Sequence, residues 1–204
     1  AVLRSYARNI STMTTANTIM GDVRANDISI TDKTLSNYLT ALRRLFIIED
    51  VKAWQPSLRS RTGIRTSDKR HFVDTSIATA ILELNPKSVL EDFELFGFLF
   101  EDFCLRDIRV YAELLRGTVY HYHDNSNLEA DLIIRLHDGR WAAIEVKTGS
   151  KEIEEAAKNL ITLSNEVNTS KIGSPSFLMV LTAGQYAYRR EDGVYVVPIG
   201  CLKP

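Results

Sequence analysis

Glu145 and Lys147 stand two residues apart in AAIEVKTG, residues 142–149, a segment otherwise apolar enough for a buried strand. Side chains at i and i+2 of a strand share a face, so these two charges converge while Ile144 and Val146 enter the other layer. Just upstream, LEADLIIRL carries Asp131 and runs into His137-Asp138-Gly139. A three-residue loop there, a type I turn with Gly139 left-handed, pairs Leu136 with Arg140 and hence Asp131 with Glu145. A two-residue Asp-Gly turn would oppose Asp131 to Val146 and send the carboxylates to opposite faces. The three-residue loop is the expectation. Two carboxylates held together in a half-buried place repel, and one lysine does not compensate both. Their hard oxygens suit Mg²⁺ or Mn²⁺, and Lys147 can activate a water or stabilise charge on a phosphate. The competing reading is a structural ion-pair cluster with no metal.

A further carboxylate comes from a long aromatic-rich helix expected over residues 90–115. At 100° per residue Glu101 falls among Gly97, Phe98, Cys104, Leu105 and Ile108, so it lies on an apolar stripe facing the sheet, with Asp102 turned about a quarter-circle away. Buried carboxylates are rare unless paired or bound to a cation, which makes Glu101 the natural extra ligand. Phe93, Phe96, Phe100 and Phe103 read as core. His121 and His123 alternate on one strand, but the sequence offers no third ligand beside them. Glu129 shares the parity of Asp131 and reads as a peripheral ligand or a hairpin-end charge.

The elements that must hold these residues follow from the periodicities. The 204 residues, 45% hydrophobic, suffice for one or two cores. A net charge of -1 argues against a broadly basic nucleic-acid binder and leaves local basic patches open. No run reaches the ~18–20 apolar residues of a membrane span, and Cys104 and Cys201 have neither zinc nor disulfide spacing, which points to a reducing cytoplasm. Helices are expected over 1–9, 12–24 and in SITDKTLSNYLTALRRLFI, where Leu35, Tyr38, Leu39, Leu42 and Leu45 form an apolar stripe behind an N-cap at Thr31 or Asp32. Two strands, 46–54 and 69–74, follow, joined by a linker bearing Arg59, Arg61 and Arg65. Three helices and a two-stranded ribbon outline a winged helix. Its third helix would show Lys33, Ser36, Asn37, Thr40, Arg43 and Arg44 to nucleic acid, or equally present a solvated face beside a neighbouring domain. A helix at 75–84 and the Asn85-Pro86 break close this first domain, 1–86. Beyond it come strands at 118–123, 129–136, 140–148, 176–182 and 193–199, with a helix at 151–167. The second domain, 87–204, is thus an α/β sandwich with a mixed central sheet.

GFLFEDFCLRDI, EADLII and AIEVKTG together resemble the helix glutamate, the aspartate and the E-x-K of the PD-(D/E)xK restriction-endonuclease-like superfamily. With KRHFVDTSIATAIL, nearly the whole chain resembles the C-terminal half of a prokaryotic AAA+ ATPase family, in which a P-loop domain precedes a winged helix and a nuclease-like domain of unknown function. That resemblance implies a metal-dependent nuclease with Glu101, Asp131, Glu145 and Lys147 as catalytic residues, the three carboxylates as Mg²⁺ or Mn²⁺ ligands, and DNA above RNA as partner. It also implies an upstream AAA+ domain, and it allows a homo-oligomer or a non-catalytic nucleic-acid or protein-binding module. Ala130 stands where a proline precedes the aspartate in many members. No G-x-x-x-x-G-K-[ST] occurs, so ATP hydrolysis would belong to a domain upstream, and the chain, which starts at Ala1 already in a helical pattern, reads as a fragment of something longer.

Overall fold

The computed structural model describes residues 1–26, 28–59 and 62–203. The chain divides into two units that interleave in sequence: Ala1–Val51 with Ser67–Arg106, and Lys52–Thr66 with Asp107–Pro204. The strip Lys52–Thr66, read from sequence as a linker, belongs to the second unit and the first part of the long helix to the first.

The first unit opens with α1 (Val2–Arg8), α2 (Ala16–Arg24) and α3 (Asp32–Arg44). Thr15 and Thr31 accept from Thr18 and Thr34 backbone N–H groups and so satisfy otherwise orphaned donors at the starts of α2 and α3. After α3 the chain pairs antiparallel with residues near 70 through the bridges Ile48–Phe72 and Val51–Lys69. Then come α4 (Thr75–Ile81), capped by Asp74, and α5 (Pro86–Glu91), where Asn85 closes a capping box and Pro86 takes the first turn. The Asn85-Pro86 pair therefore starts a helix as well as stopping one. Tyr6, Ile10, Ile19, Leu35, Leu39, Ile48 and Phe72 make this unit's core. Of the stripe predicted on α3, Leu35 and Leu39 are buried and Leu42 packs against the same core, but Tyr38 and Leu45 are exposed.

The sheet belongs to the second unit. Its strands β1 (Gly117–His123), β2 (Glu129–Leu136), β3 (Trp141–Lys147), β4 (Leu178–Thr182), β5 (Tyr188–Arg189) and β6 (Tyr195–Pro198) lie in the order β1-β2-β3-β4-β6-β5. Pairs β1–β2–β3 and β6–β5 are antiparallel, and β3–β4–β6 parallel. The sheet is mixed, as the pattern predicts. The parallel step needs a crossover, supplied by α7 (Ile153–Glu166) and the short α8 (Thr169–Ile172). α7 places Ile153, Ala156, Ala157, Leu160 and Leu163 in one core with Ala143, Val180, Trp54 and Trp141, and the indoles of the last two lie 4.8 Å apart. Trp54 explains why Lys52–Thr66 joins this unit: the strip is bridged at Ala53–His121, Leu58–Val167 and Ile64–Asp124. The unit boundary at Arg106 falls inside α6 (Phe93–Leu114). Cys104, Leu105 and Ile108 are buried as its stripe predicts, whereas Phe93, at 74% exposure, is not core.

Asp50 ties the first unit together. Its side chain accepts from Tyr6 and sits 2.5 Å from Arg43 and 2.9 Å from Arg70, with the carboxylate only 5% exposed. Asp50→Asn strands two guanidinium groups, one of them nearly buried, and is expected to destabilise this unit by about 3 kcal/mol. Urea unfolding followed by far-UV dichroism measures it, and an unchanged midpoint would show that the network contributes nothing net.

Candidate active site

Glu145 is 1% exposed at the end of the β3 row that begins with Trp141 and Ala143. What puts a second carboxylate beside it is the β2–β3 turn. The pairs Leu132–Ile144, Ile133–Ala143, Ile134–Ala142 and Arg135–Trp141 set the register. Leu136 N–H donates to the Arg140 carbonyl and Gly139 N–H to that of Leu136, with Gly139 at φ 90°. This is the three-residue loop expected from His137-Asp138-Gly139, and it carries the count on to Asp131 opposite Glu145. Left-handed φ suits glycine because a Cβ would meet the backbone.

The other edge of β2 adds a device that the sequence does not announce. Between the pairs Tyr120–Ile133 and Tyr122–Ala130, one β1 residue, His121, opposes two β2 residues, Asp131 and Leu132. Asp131 therefore occupies a β-bulge, which re-aims its side chain out of simple alternation. Its Oδ2 accepts the Val146 N–H at 2.8 Å, placing the carboxylate against the strand segment between Glu145 and Lys147. The start of β2 is fixed by Asp124, which accepts from the Ser126 hydroxyl and amide, the Leu128 amide and Tyr122. Burial works against its charge, but these donors prevail and hold its pKa below the ordinary value.

Electrostatically the site is short of positive charge. Burial first, then the neighbouring charge of Asp131, pushes the pKa of the Glu145 carboxyl above its ordinary value against the opposing pull of Lys147. Burial disfavours the Lys147 ammonium, but Glu145, Asp131 and Glu129 outweigh it and raise its pKa above the usual lysine value. Lys147 Nζ lies 2.9 Å from Glu145 Oε1, while Glu145 Oε2 is buried with no hydrogen-bond partner among the described residues. Buried polar atoms are seldom left so, and each exception asks for a reason. Among the described residues no group of three or more His, Cys, Asp or Glu side chains is arranged to hold a metal ion. The donor set still fits Mg²⁺ or Mn²⁺, since such ions commonly take one or two carboxylates and complete their sphere with water and substrate phosphate.

The other predicted residues are distributed as follows. Glu101 lies in the first unit, where it is buried, 2.6 Å from Lys69 and 3.9 Å from His71. Asp102, expected to turn away from the buried stripe, is 0% exposed. It accepts from the Phe72 amide and the Thr75 hydroxyl and stands 3.0 Å from His71 Nδ1. The helix is covered on two flanks there, so a quarter-turn does not reach water. The sequence signal for this was present in the Asp, His and Thr of HFVDT and FED, but without the fold nothing joins them. His123 lies 3.7 Å from Glu129 across the strand pair. On α3, Lys33, Ser36, Asn37, Thr40 and Arg44 are exposed as predicted, and Arg43, exposed too, is engaged by Asp50. Arg61 lies outside the described residues.

Residues 96–202, more than half of the chain, match the model of the domain of unknown function DUF4143. The chain belongs to the DUF4143 family. That domain is found in AAA+ ATPase-associated proteins. Residues 1–88 match a second domain of unknown function, DUF8612. The DUF4143 segment begins within α6 and takes in every strand of the sheet, so Asp131, Glu145 and Lys147 all fall inside it. No curated protein matches the chain. A solved structure, titled as a refined half-complex from a tetradecameric assembly of Thermococcus gammatolerans McrB AAA+ hexamers with bound McrC, aligns over 97% of this chain and 70% of its own at 9% identity and a TM-score of 0.34. No helix among the described residues is long and apolar enough to cross a membrane.

Lys147→Met leaves Glu145 buried without its cation and is expected to cost about 3 kcal/mol, whereas Lys147→Met with Glu145→Gln recovers at least half of that loss. Urea unfolding of the four corners of this cycle measures it. Equal stability of the single and double variants would mean that the pair is not electrostatically coupled.

Proposed function

We propose that this DUF4143 chain is a divalent-cation-dependent phosphodiesterase module of an AAA+ ATPase. The observation that carries the reading is Glu145: a carboxylate withdrawn from water, opposite Asp131, with one oxygen on Lys147 and the other without a hydrogen-bond partner among the described residues. The resemblance of EADLII and AIEVKTG to the PD-(D/E)xK pattern supports the same residues. Asp131 and Glu145 would hold Mg²⁺ or Mn²⁺, which when bound neutralises a scissile phosphate and lowers the pKa of a coordinated water.

The chain's own groups then divide the work. Asp131, fixed by the Val146 amide, positions its carboxylate without rotamer search, and the bulge sets its direction. Lys147, held at 2.9 Å from Glu145 and kept as an ammonium by its acidic neighbours, donates hydrogen bonds to the phosphate oxygens as their charge grows. A lysine kept protonated is no general base, so water activation falls to the carboxylate side. The first unit, read as a winged helix, would bring nucleic acid, DNA in the first instance, to Lys33, Ser36, Asn37, Thr40 and Arg44. ATP hydrolysis would reside in an upstream domain of the parent protein.

The test is calorimetric titration of Mn²⁺ together with a thermal melt. Saturating Mn²⁺ or Mg²⁺ is expected to raise the melting temperature by mass action. Glu145→Ala should abolish both the heat of binding and the shift. Lys147→Ala should bind the ion but lose most cleavage of a labelled DNA. No Mn²⁺ binding by the wild-type protein would overturn the reading and leave a binding module built on a nuclease-like sheet.

A further inference from the structure

The sheet end that carries Lys147 continues into a surface that the phosphodiesterase reading does not use. In the parallel ladder Lys147 pairs with Thr182, the last residue of β4. From Thr182 the chain leaves as AGQYAYR, residues 183–189, and every one of these residues is exposed. Tyr186 is 79% exposed and Tyr188 48%. An exposed glycine-containing turn has no need of tyrosines, since both rings forgo the burial that normally justifies them. β5 then pairs back on β6, and the Arg189 guanidinium lies over the exposed ring of Tyr195 at 5.5 Å. The two arginines of this hairpin differ in kind. Arg190 is consumed by Glu154 and Asp192, at 2.5 Å and 3.0 Å. Arg189 has no carboxylate within ion-pair distance among the described residues, so its charge is available to an anion.

We propose that this hairpin is a stacking platform for unpaired bases, which makes single-stranded nucleic acid, or the single-stranded part of a junction, the substrate class of the site. Two features select this occupant. Solvent-exposed aromatic rings interleaved with an uncompensated guanidinium match the alternation of base and phosphate along a single strand, whereas a duplex hides its base faces. The platform is also continuous with the candidate site, because one residue, Thr182, both pairs with Lys147 and begins the loop. What the bound strand meets next rests on the phosphodiesterase reading, but binding itself needs no metal.

The experiment uses the whole chain in EDTA, with a short fluorescein-labelled oligothymidine and a duplex of the same length, read by fluorescence anisotropy. Tyr186→Ala with Tyr188→Ala is expected to weaken the single strand by at least about tenfold and the duplex far less, since stacking on one aromatic side chain typically carries that much affinity. Tyr186→Phe with Tyr188→Phe keeps the rings and should keep the affinity. Arg189→Ala should lower the slope of log affinity against log salt by about 0.7. The substituted side chains are exposed, and an unchanged melting temperature verifies that the fold persists. Wild-type affinity in the double alanine variant overturns the proposal. So does a wild-type protein that ignores oligothymidine, which would give the tyrosines to a protein partner. A wild-type protein that binds through these tyrosines yet cuts nothing with Mn²⁺ refutes the phosphodiesterase reading alone.

Discussion

The register of one hairpin decides what the second unit can do, and one residue of turn length decides that register. With His137, Asp138 and Gly139 in the loop, the β2–β3 count brings Asp131 opposite Glu145. Removing one residue from the turn would set Asp131 against Val146 and exchange every side chain between faces. The left-handed Gly139 makes the longer turn inexpensive, and the hydrophobic residues of β2 and β3 make the alternative costly, because a slip would move them out of the core. Turn chemistry and core packing agree on one register, and the acidic pair is a consequence of both.

The bulge at Asp131 refines that consequence. A regular strand would give the aspartate a direction set by alternation alone. Two β2 residues opposite His121 break the alternation, and the Val146 amide captures the carboxylate thus released. The site is built by a local irregularity on a regular frame: α7 packs its alanines and leucines in one core with Ala143 of β3 and Val180 of β4, while Glu145 and Lys147 stand at the C-terminal end of β3.

Much of this was legible in the sequence, for identifiable reasons. β2, β3, α7 and the turn were readable because each is a strong local pattern: alternation, helical period, or a glycine where φ is positive. α3's polar face was readable for the same reason. What local pattern does not carry is partnership at long range. Nothing in Lys52–Thr66 says that Trp54 will stack near Trp141, so the strip reads as a linker although it belongs to the second core. Nothing in the α6 period says that a second flank will be covered by residues 71–75, so Asp102 reads as turned away although it is fully buried. The bulge at Asp131 depends on β1, whose pairing no feature of β2 reveals. The exposed Phe93 and Leu45 fail the simplest rule, apolar inside, because a periodic stripe states that a face is apolar without stating that anything covers it.

Four of the acidic side chains withdrawn from water, Asp50, Asp102, Asp124 and Glu145, separate structure from chemistry more clearly than any motif. Asp50 has Tyr6, Arg43 and Arg70. Asp102 has the Phe72 amide, Thr75 and His71. Asp124 has two backbone amides and two hydroxyls. Each of these is provided with donors by its neighbours, which is how a fold makes a buried carboxylate tolerable. Glu145 is different, since one oxygen meets Lys147, the other meets no donor among the described residues, and the neighbouring Asp131 adds repulsion. A sequence free to place a serine or a second cation beside it would relieve that burden, as has been done at the other three sites. A buried acid left costly where Asp50, Asp102 and Asp124 are each supplied with donors is the observation on which the proposal of a bound cation rests.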